Sequence, residues 1–120
     1  MATFSKQIFS GSTDGKQIKI TQTGSSANVI HTGSSTATTL DEVWLYATNS
    51  GASDVKLTIQ WGGNTSPDDE MEYTVKAENG LYLIIPGLIL KGNATPLVVR
   101  AFAATANVIN VSGYVNRITA

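Results

Sequence analysis

The sequence contains no cysteine and only one histidine, His31, among its 120 residues. Without cysteine the fold can have neither a disulfide bond nor a cysteine zinc site, so its stability must come from packing. A chain of this length is expected to form one domain around a single hydrophobic core.

Charge is also scarce, because 14% of the residues are charged and the net charge is −1. The eight Lys and Arg residues are scattered along the chain. Binding to phosphate backbones requires several clustered basic side chains, so we expect no nucleic-acid partner.

Long apolar segments are missing too. The longest apolar stretch, residues 81–90, is interrupted by Pro86 and Gly87. It is far shorter than the roughly 20 residues that a bilayer-spanning helix needs, so we expect no membrane partner. The first residues lack the basic and apolar segments of a secretory signal, which favours synthesis in a cytoplasm.

Short segments in which apolar and polar residues alternate fill most of the chain. In residues 54–61, for example, Val55, Leu57 and Ile59 share one side, as in a half-buried antiparallel strand. β-Branched residues, Gly and Asn disfavour helices throughout. The predicted strands are residues 17–21, 27–32, 42–49, 54–61, 70–77, 81–85 continued by 88–90, 97–104 and 107–118. This spacing predicts an all-β fold, a single antiparallel β-sandwich of about eight strands that is jelly-roll-like, with a small β-barrel as the alternative.

Three connections carry turn or bulge patterns. Asn79-Gly80 predicts a two-residue hairpin between residues 70–77 and 81–85. Pro86-Gly87 predicts a type II turn or a bend, and Gly113 predicts a bulge in the last strand.

The N-terminal segment, residues 1–16, differs in its pattern of apolar residues from the sandwich domain expected for residues 17–120. Phe4, Ile8 and Phe9 are isolated apolar residues among Ser, Thr, Gly and Lys. The segment is either a first edge strand followed by a loop, or an extended arm that places these three side chains on a neighbouring subunit.

Residues able to perform catalysis are few. His31 ends an apolar strand with no acidic residue patterned beside it, so we expect a structural or solvent-facing role for it and no enzymatic activity. The acidic run at Asp68, Asp69 and Glu70 could contribute calcium ligands, but Pro67 and this run also make a good turn. The turn interpretation is favoured, and we expect no metal site and no cofactor.

The aromatic residues divide into two groups. Trp61 is in phase with the apolar face of its strand and is expected in the core. Trp44, Tyr46 and Tyr114 are out of phase, as expected either for a protein interface or for a platform on which sugars stack. The predicted interface residues, including those of the N-terminal segment, are Phe4, Ile8, Phe9, Trp44, Tyr46 and Tyr114.

Two longer stretches support a family resemblance. They are residues 38–49 (TTLDEVWLYATN) and residues 97–117 (LVVRAFAATANVINVSGYVNR), with LTIQWGG at 57–63 and IPG at 85–87 between them. Residues 38–118 resemble small Thr-, Ala- and Gly-rich virion structural proteins of tailed bacteriophages, some of which are head decoration (cement) proteins. The N-terminal segment lies outside the resemblance, which offers no active-site residues to transfer.

The resemblance implies a function and partners. It implies a non-enzymatic decoration protein that binds the outer head surface, stabilises the shell and resides on the capsid surface of the virion. The expected partners are the major capsid protein and further copies of the chain, as a homo-oligomer, with a trimer expected. Two alternatives stay open: a carbohydrate- or host-receptor-binding module of a tail fibre, and a head–tail or tail-tube structural protein.

Overall fold

The computed structural model describes residues 2–24 and 26–120, which form nine strands in two antiparallel sheets and no helix. The strands are β1 (Thr3–Ile8), β2 (Ile18–Lys19), β3 (Asn28–Thr32), β4 (Leu40–Asn49), β5 (Val55–Trp61), β6 (Glu70–Val75), β7 (Tyr82–Lys91), β8 (Val98–Ala103) and β9 (Ile109–Thr119). The first sheet, called sheet A, has the order β1-β9-β4-β7, and the short β2 also pairs with β9. Sheet B has the order β3-β8-β5-β6.

The pairings are nested along the chain. Strand β1 pairs with β9, β3 with β8, β4 with β7 and β5 with β6, so each pair is enclosed in sequence by the pair before it. Pairing of β4 with β9 and of β5 with β8 completes the two sheets. This is the jelly-roll arrangement, and the predicted all-β sandwich is confirmed. The two sheets stay separate, so the barrel alternative is wrong.

The core lies between the sheets and follows the alternation of the sequence. In β4 every second residue from Asp41 to Asn49 is buried, and the residues between them are only half-buried. Strand β5 contributes Leu57 and Ile59, which have no exposed surface. Trp61 packs against this core and is partly buried, as its phase in the strand predicts.

Two predicted turns are wrong. Strand β6 lies in sheet B and β7 in sheet A, so Asn79-Gly80 is part of a crossing between sheets and not a hairpin turn. The main chain there is held by β4 and the loop after it, because Glu78 N–H donates to the Asn49 carbonyl and Ala77 N–H to Asp54 Oδ1. At Pro86-Gly87 the strand continues through a register shift against β4 instead of turning.

The N-terminal segment joins the sandwich. Residues 3–8 form the edge strand β1, paired with the end of β9 from Thr119 to Tyr114. The chain then turns inward at Phe9, whose side chain is buried in the core. Gly113, where a bulge was predicted, pairs with Leu45 without a register shift, and the Phe9 ring lies against its Cα.

Candidate partner-binding face

The outer face of sheet A carries rows of side chains that run across three or four strands. Directly paired residues point to the same side of a sheet, so the strand register defines each row. The first row is Phe4, Ile118, Leu40 and Lys91; the second is Lys6, Asn116, Glu42 and Ile89; the third is Ile8, Tyr114, Trp44 and Pro86; the fourth is Ser112, Tyr46 and Leu83. The first and third rows are mostly apolar or aromatic, and we call these four rows the A face.

An aromatic pair forms the centre of the A face. The rings of Trp44 and Tyr114 stack with their centroids 6.3 Å apart and their planes 13° apart. The Trp44 ring lies against Gly87, where a Cβ would be 2.9 Å from the indole, so only glycine leaves room for it. On the other side the Lys6 ammonium lies 5.1 Å from the centre of the Tyr114 ring, within cation–π range. The pair is therefore held from both sides.

Two polar donors beside this pair share one carboxylate oxygen. Trp44 Nε1–H donates to Glu42 Oε1 at 2.7 Å, and Asn116 Nδ2–H donates to the same oxygen at 2.9 Å. The bonds from Asn116 and Trp44 favour the charged carboxylate and lower the pKa of Glu42. The indole N–H of Trp44 and one N–H of Asn116 therefore keep a partner when the A face is covered.

Five of the six predicted interface residues meet on this face. Trp44, Tyr46 and Tyr114 lie in its central strands, and Phe4 and Ile8 lie at its β1 edge. Phe9 is the exception: it is 1% exposed and belongs to the core, so its assignment to an interface is wrong. It follows the last residue of β1, and the chain bends there towards the interior.

Exposed apolar side chains concentrate at the two edges of sheet A. Of eight large apolar residues that are exposed, six lie on or beside β1 and β7 in the described part of the chain. These six are Phe4, Ile8, Leu81, Leu83, Leu88 and Ile89. Exposed apolar residues concentrated in this way are typical of sites of protein contact.

A second arrangement of polar residues is buried inside the sandwich. Asp41 is 1% exposed and accepts bonds from Arg117 Nε (2.8 Å to Oδ1) and from an Arg117 terminal nitrogen (2.9 Å to Oδ2). His31 Nε2 lies 2.8 Å from Asp41 Oδ2. The Ser10 main-chain N–H donates to His31 Nδ1 at 3.2 Å, so the ring proton is on Nε2 and points at Asp41. This network ties β3 of sheet B to β4 and β9 of sheet A.

The same network contains the residue types of a hydrolase triad. In such a triad one imidazole nitrogen bonds the serine hydroxyl and the other bonds the carboxylate. Here His31 Nδ1 accepts a hydrogen bond from the main-chain N–H of Ser10, and Ser10 Oγ accepts one from the main-chain N–H of Thr32 at 2.7 Å. The imidazole is therefore positioned as a link between sheets and not as the base of the Ser10 hydroxyl.

Acid is expected to weaken the Asp41 network. Burial alone would raise the pKa of Asp41, but bonds from Arg117 and His31 outweigh it and lower the pKa from 3.8 to about 2. The network therefore stabilises the fold fully above about pH 4 and loses its effect as the pH falls towards 2. Urea unfolding measures the free energy of unfolding of the wild type and of Asp41→Asn. The difference between the two should fall by about 2 kcal/mol when the pH is lowered from 6 to 2. A gap that stays constant over this range would contradict the assignment.

The acidic residues Asp69 and Glu70 stabilise the loop between β5 and β6 through hydrogen bonds. Asp69 Oδ2 accepts the Thr65 N–H at 3.0 Å, and the Asp69 carbonyl accepts the Trp61 N–H at 2.7 Å. Glu70 Oε1 accepts the Ser66 hydroxyl at 3.1 Å, and Glu72 pairs with Lys56 at 3.1 Å. Within residues 2–24 and 26–120, no three His, Cys, Asp or Glu side chains are grouped closely enough to hold a metal ion.

Searches of protein-family models, of curated proteins and of solved structures found no match to this chain. In the described ranges no helix has the length and apolar character that crossing a bilayer requires. The geometry of the A face is therefore the main guide to function.

Several residues of the A face were not anticipated from the sequence. Leu40 and Ile118 complete the first apolar row, and Glu42 and Asn116 provide the paired polar groups. The alternation of β4 and β9 contains this signal, because these residues are in phase with Trp44 and Tyr114. What the sequence does not show is that β9 lies beside β4, which brings the two sets together.

Proposed function

We propose that this protein is a non-enzymatic decoration protein of a bacteriophage head, which binds the outer surface of the capsid through the A face and stabilises the shell. The observation that carries the proposal is the set of apolar and aromatic rows across an entire sheet, centred on the stacked Trp44 and Tyr114. A soluble β-sandwich that acts alone usually covers the outer side of such a sheet with polar residues.

The construction of the A face suits contact with a protein. Interfaces concentrate energy in buried aromatic residues surrounded by contacts that exclude water. Trp44 and Tyr114 are fixed by Gly87 and Lys6, so docking would order few additional side chains. The Trp44 and Asn116 donors are already paired with Glu42, which lowers the cost of removing them from water.

The same pairing favours a protein over a sugar as the ligand. A sugar platform combines an exposed ring with free polar groups that bind the hydroxyls. In this face the indole N–H of Trp44 and the Asn116 amide are already engaged by Glu42 Oε1.

Decoration of a shell also requires little affinity from each separate contact. A molecule that contacts several subunits of a symmetric capsid is held by linked contacts, so each contact can be modest. A rigid jelly roll held by a large core and by the Asp41 network is suited to this task, since it supplies a fixed surface and needs no moving part.

Tyr46→Lys is expected to weaken capsid binding at least tenfold, because it places a charge on the A face in the row next to the stacked Trp44 and Tyr114. The matched control is Val29→Lys, which adds the same charge to an exposed apolar position on β3 of sheet B. The measurement is occupancy on purified empty heads of the phage that encodes the chain, titrated and separated by sedimentation.

The outcome that supports the proposal is loss of occupancy for Tyr46→Lys with wild-type occupancy for Val29→Lys. Wild-type protein that fails to bind the heads, or equal binding by both variants, would exclude this face as the capsid site. Binding to a glycan array that Tyr46→Lys abolishes would instead favour the host-receptor alternative.

A further inference from the structure

The two edges of sheet A present a matched pair of unpaired strands. Strand β1 is the first strand of the sheet and β7 the last, and in the described part of the chain neither pairs with a further strand on its outer side. Three antiparallel pairings separate them, from β1 to β9, β9 to β4 and β4 to β7, so β1 and β7 run in opposite directions. A second copy placed beside the first in the same orientation would therefore offer its β1 antiparallel to β7.

The apolar residues at these edges complement each other. Phe4 and Ile8 on β1 are 71% and 49% exposed. Leu83 and Ile89 on β7 are 44% and 48% exposed, and all four lie on the A face. Joining β7 to β1 of another copy would continue the A face from one copy to the next and cover apolar side chains of both edges at once.

The edges of sheet B differ from the β7 edge, because one is covered and the other is charged. The outer side of β3 is occupied by the chain that follows β1, because the Gly11 N–H donates to the Ile30 carbonyl and Ser10 Oγ accepts the Thr32 N–H. Strand β6 carries Glu70 and Glu72, and charged residues on an edge are a common defence against further pairing. Strand β7 has no charged residue between Tyr82 and Leu90.

We propose that copies of this chain associate head to tail, with β7 of one copy pairing antiparallel with β1 of the next. The contact is heterologous, so the copies form a closed ring when the rotation permits and an open chain when it does not. Pro86 lacks an N–H, so β7 cannot donate a main-chain hydrogen bond to the next copy at that position. The inference concerns contacts between copies and is independent of the capsid-binding proposal.

The expected strength is modest. The six exposed apolar side chains at the two edges present about 500 Å² of surface, counting each as a fraction of a large side chain. A standard stable interface buries about 1,600 Å² in total, so a single junction is weak and association should appear at high protein concentration. Ring closure would strengthen it, because each copy is then held at both edges.

The test uses two blocked variants and their mixture. In one variant Leu83→Lys and Ile89→Lys block β7, and in the other Phe4→Lys and Ile8→Lys block β1. Sedimentation equilibrium of untagged protein should show wild-type association that weakens at least tenfold in each variant alone. An equimolar mixture should form one-to-one dimers and nothing larger, because one intact β7 and one intact β1 remain. Val29→Lys, with an equally exposed apolar residue on sheet B, should associate as the wild type does.

Circular dichroism and thermal unfolding establish that each variant is folded before its mass is interpreted. Association of the β1-blocked variant at wild-type strength would overturn the proposal in favour of symmetric β7–β7 pairing. A wild type that stays monomeric at several hundred micromolar would overturn it outright. Tyr46→Lys should leave self-association unchanged, so failure of capsid binding and failure of edge pairing are distinguishable.

Discussion

Replacement of Asp41 by alanine is expected to lower the free energy of unfolding by about 3 kcal/mol. The substitution leaves His31 buried without its acceptor and removes both bonds to Arg117. A buried charged group that loses its partner still carries its desolvation penalty. Breaking comparable buried ion pairs lowers the free energy of unfolding by about 3–5 kcal/mol. The Arg117 side chain is 23% exposed and can turn partly towards water, so the lower end of that range applies.

The matched control is Glu72→Ala, which deletes one partner of an exposed ion pair with Lys56. Both side chains of that pair are about half exposed, so its loss should change stability by less than about 1 kcal/mol. Urea unfolding at pH 7 measures both variants against the wild type. Equal losses for Asp41→Ala and Glu72→Ala would show that the buried network does not stabilise the link between the sheets.

Gly113→Ala is expected to prevent the native fold. A Cβ at this position would overlap the main-chain oxygen of Trp44 on β4 and lie 3.1 Å from the Phe9 ring. The backbone at Gly113 has φ of +144°, which L side chains rarely adopt. Main-chain atoms in the middle of a sheet cannot move aside without breaking the β4–β9 pairing. The loss should exceed about 4 kcal/mol, a large part of the stability of an ordinary domain.

Gly24→Ala is the control, because, among the described residues other than its chain neighbours, no atom lies within 4 Å of a Cβ placed there. It should express and melt as the wild type does, while Gly113→Ala should be insoluble or unfolded by circular dichroism. A Gly113→Ala protein with a melting temperature within a few degrees of the wild type would mean that β9 and β4 are not paired as described.

The alternation of apolar residues is sufficient to predict the sandwich because it depends on local geometry. Val43, Leu45 and Ala47 share one face of β4 whatever lies beside them, and burial of that face follows directly. The same reasoning places Trp44 and Tyr46 on the opposite face. The N-terminal segment is harder, since Ile8 and Phe9 are adjacent apolar residues and only the structure shows which one enters the core.

The sequence alone does not show which residues far apart in the chain contact one another. Asn79-Gly80 has the local chemistry of a hairpin, but residues before and after it belong to different sheets. Asp41 and Arg117 are separated by 75 residues of chain, and neither has a neighbour in sequence that reveals the pair. The sequence left a structural and a solvent-facing role open for His31, and its burial excludes the solvent-facing one. Its partner, Asp41, is visible only once β3 and β4 are packed together.

The nested pairing brings the beginning and the end of the described chain to one corner, where Thr3 lies opposite Thr119. A purification tag or fluorescent reporter fused at either terminus would lie beside the β1 edge, close to Phe4 and Ile118. Such a fusion would shield that edge and leave β7 accessible, so labelled protein should be compared with protein from which the label has been cleaved.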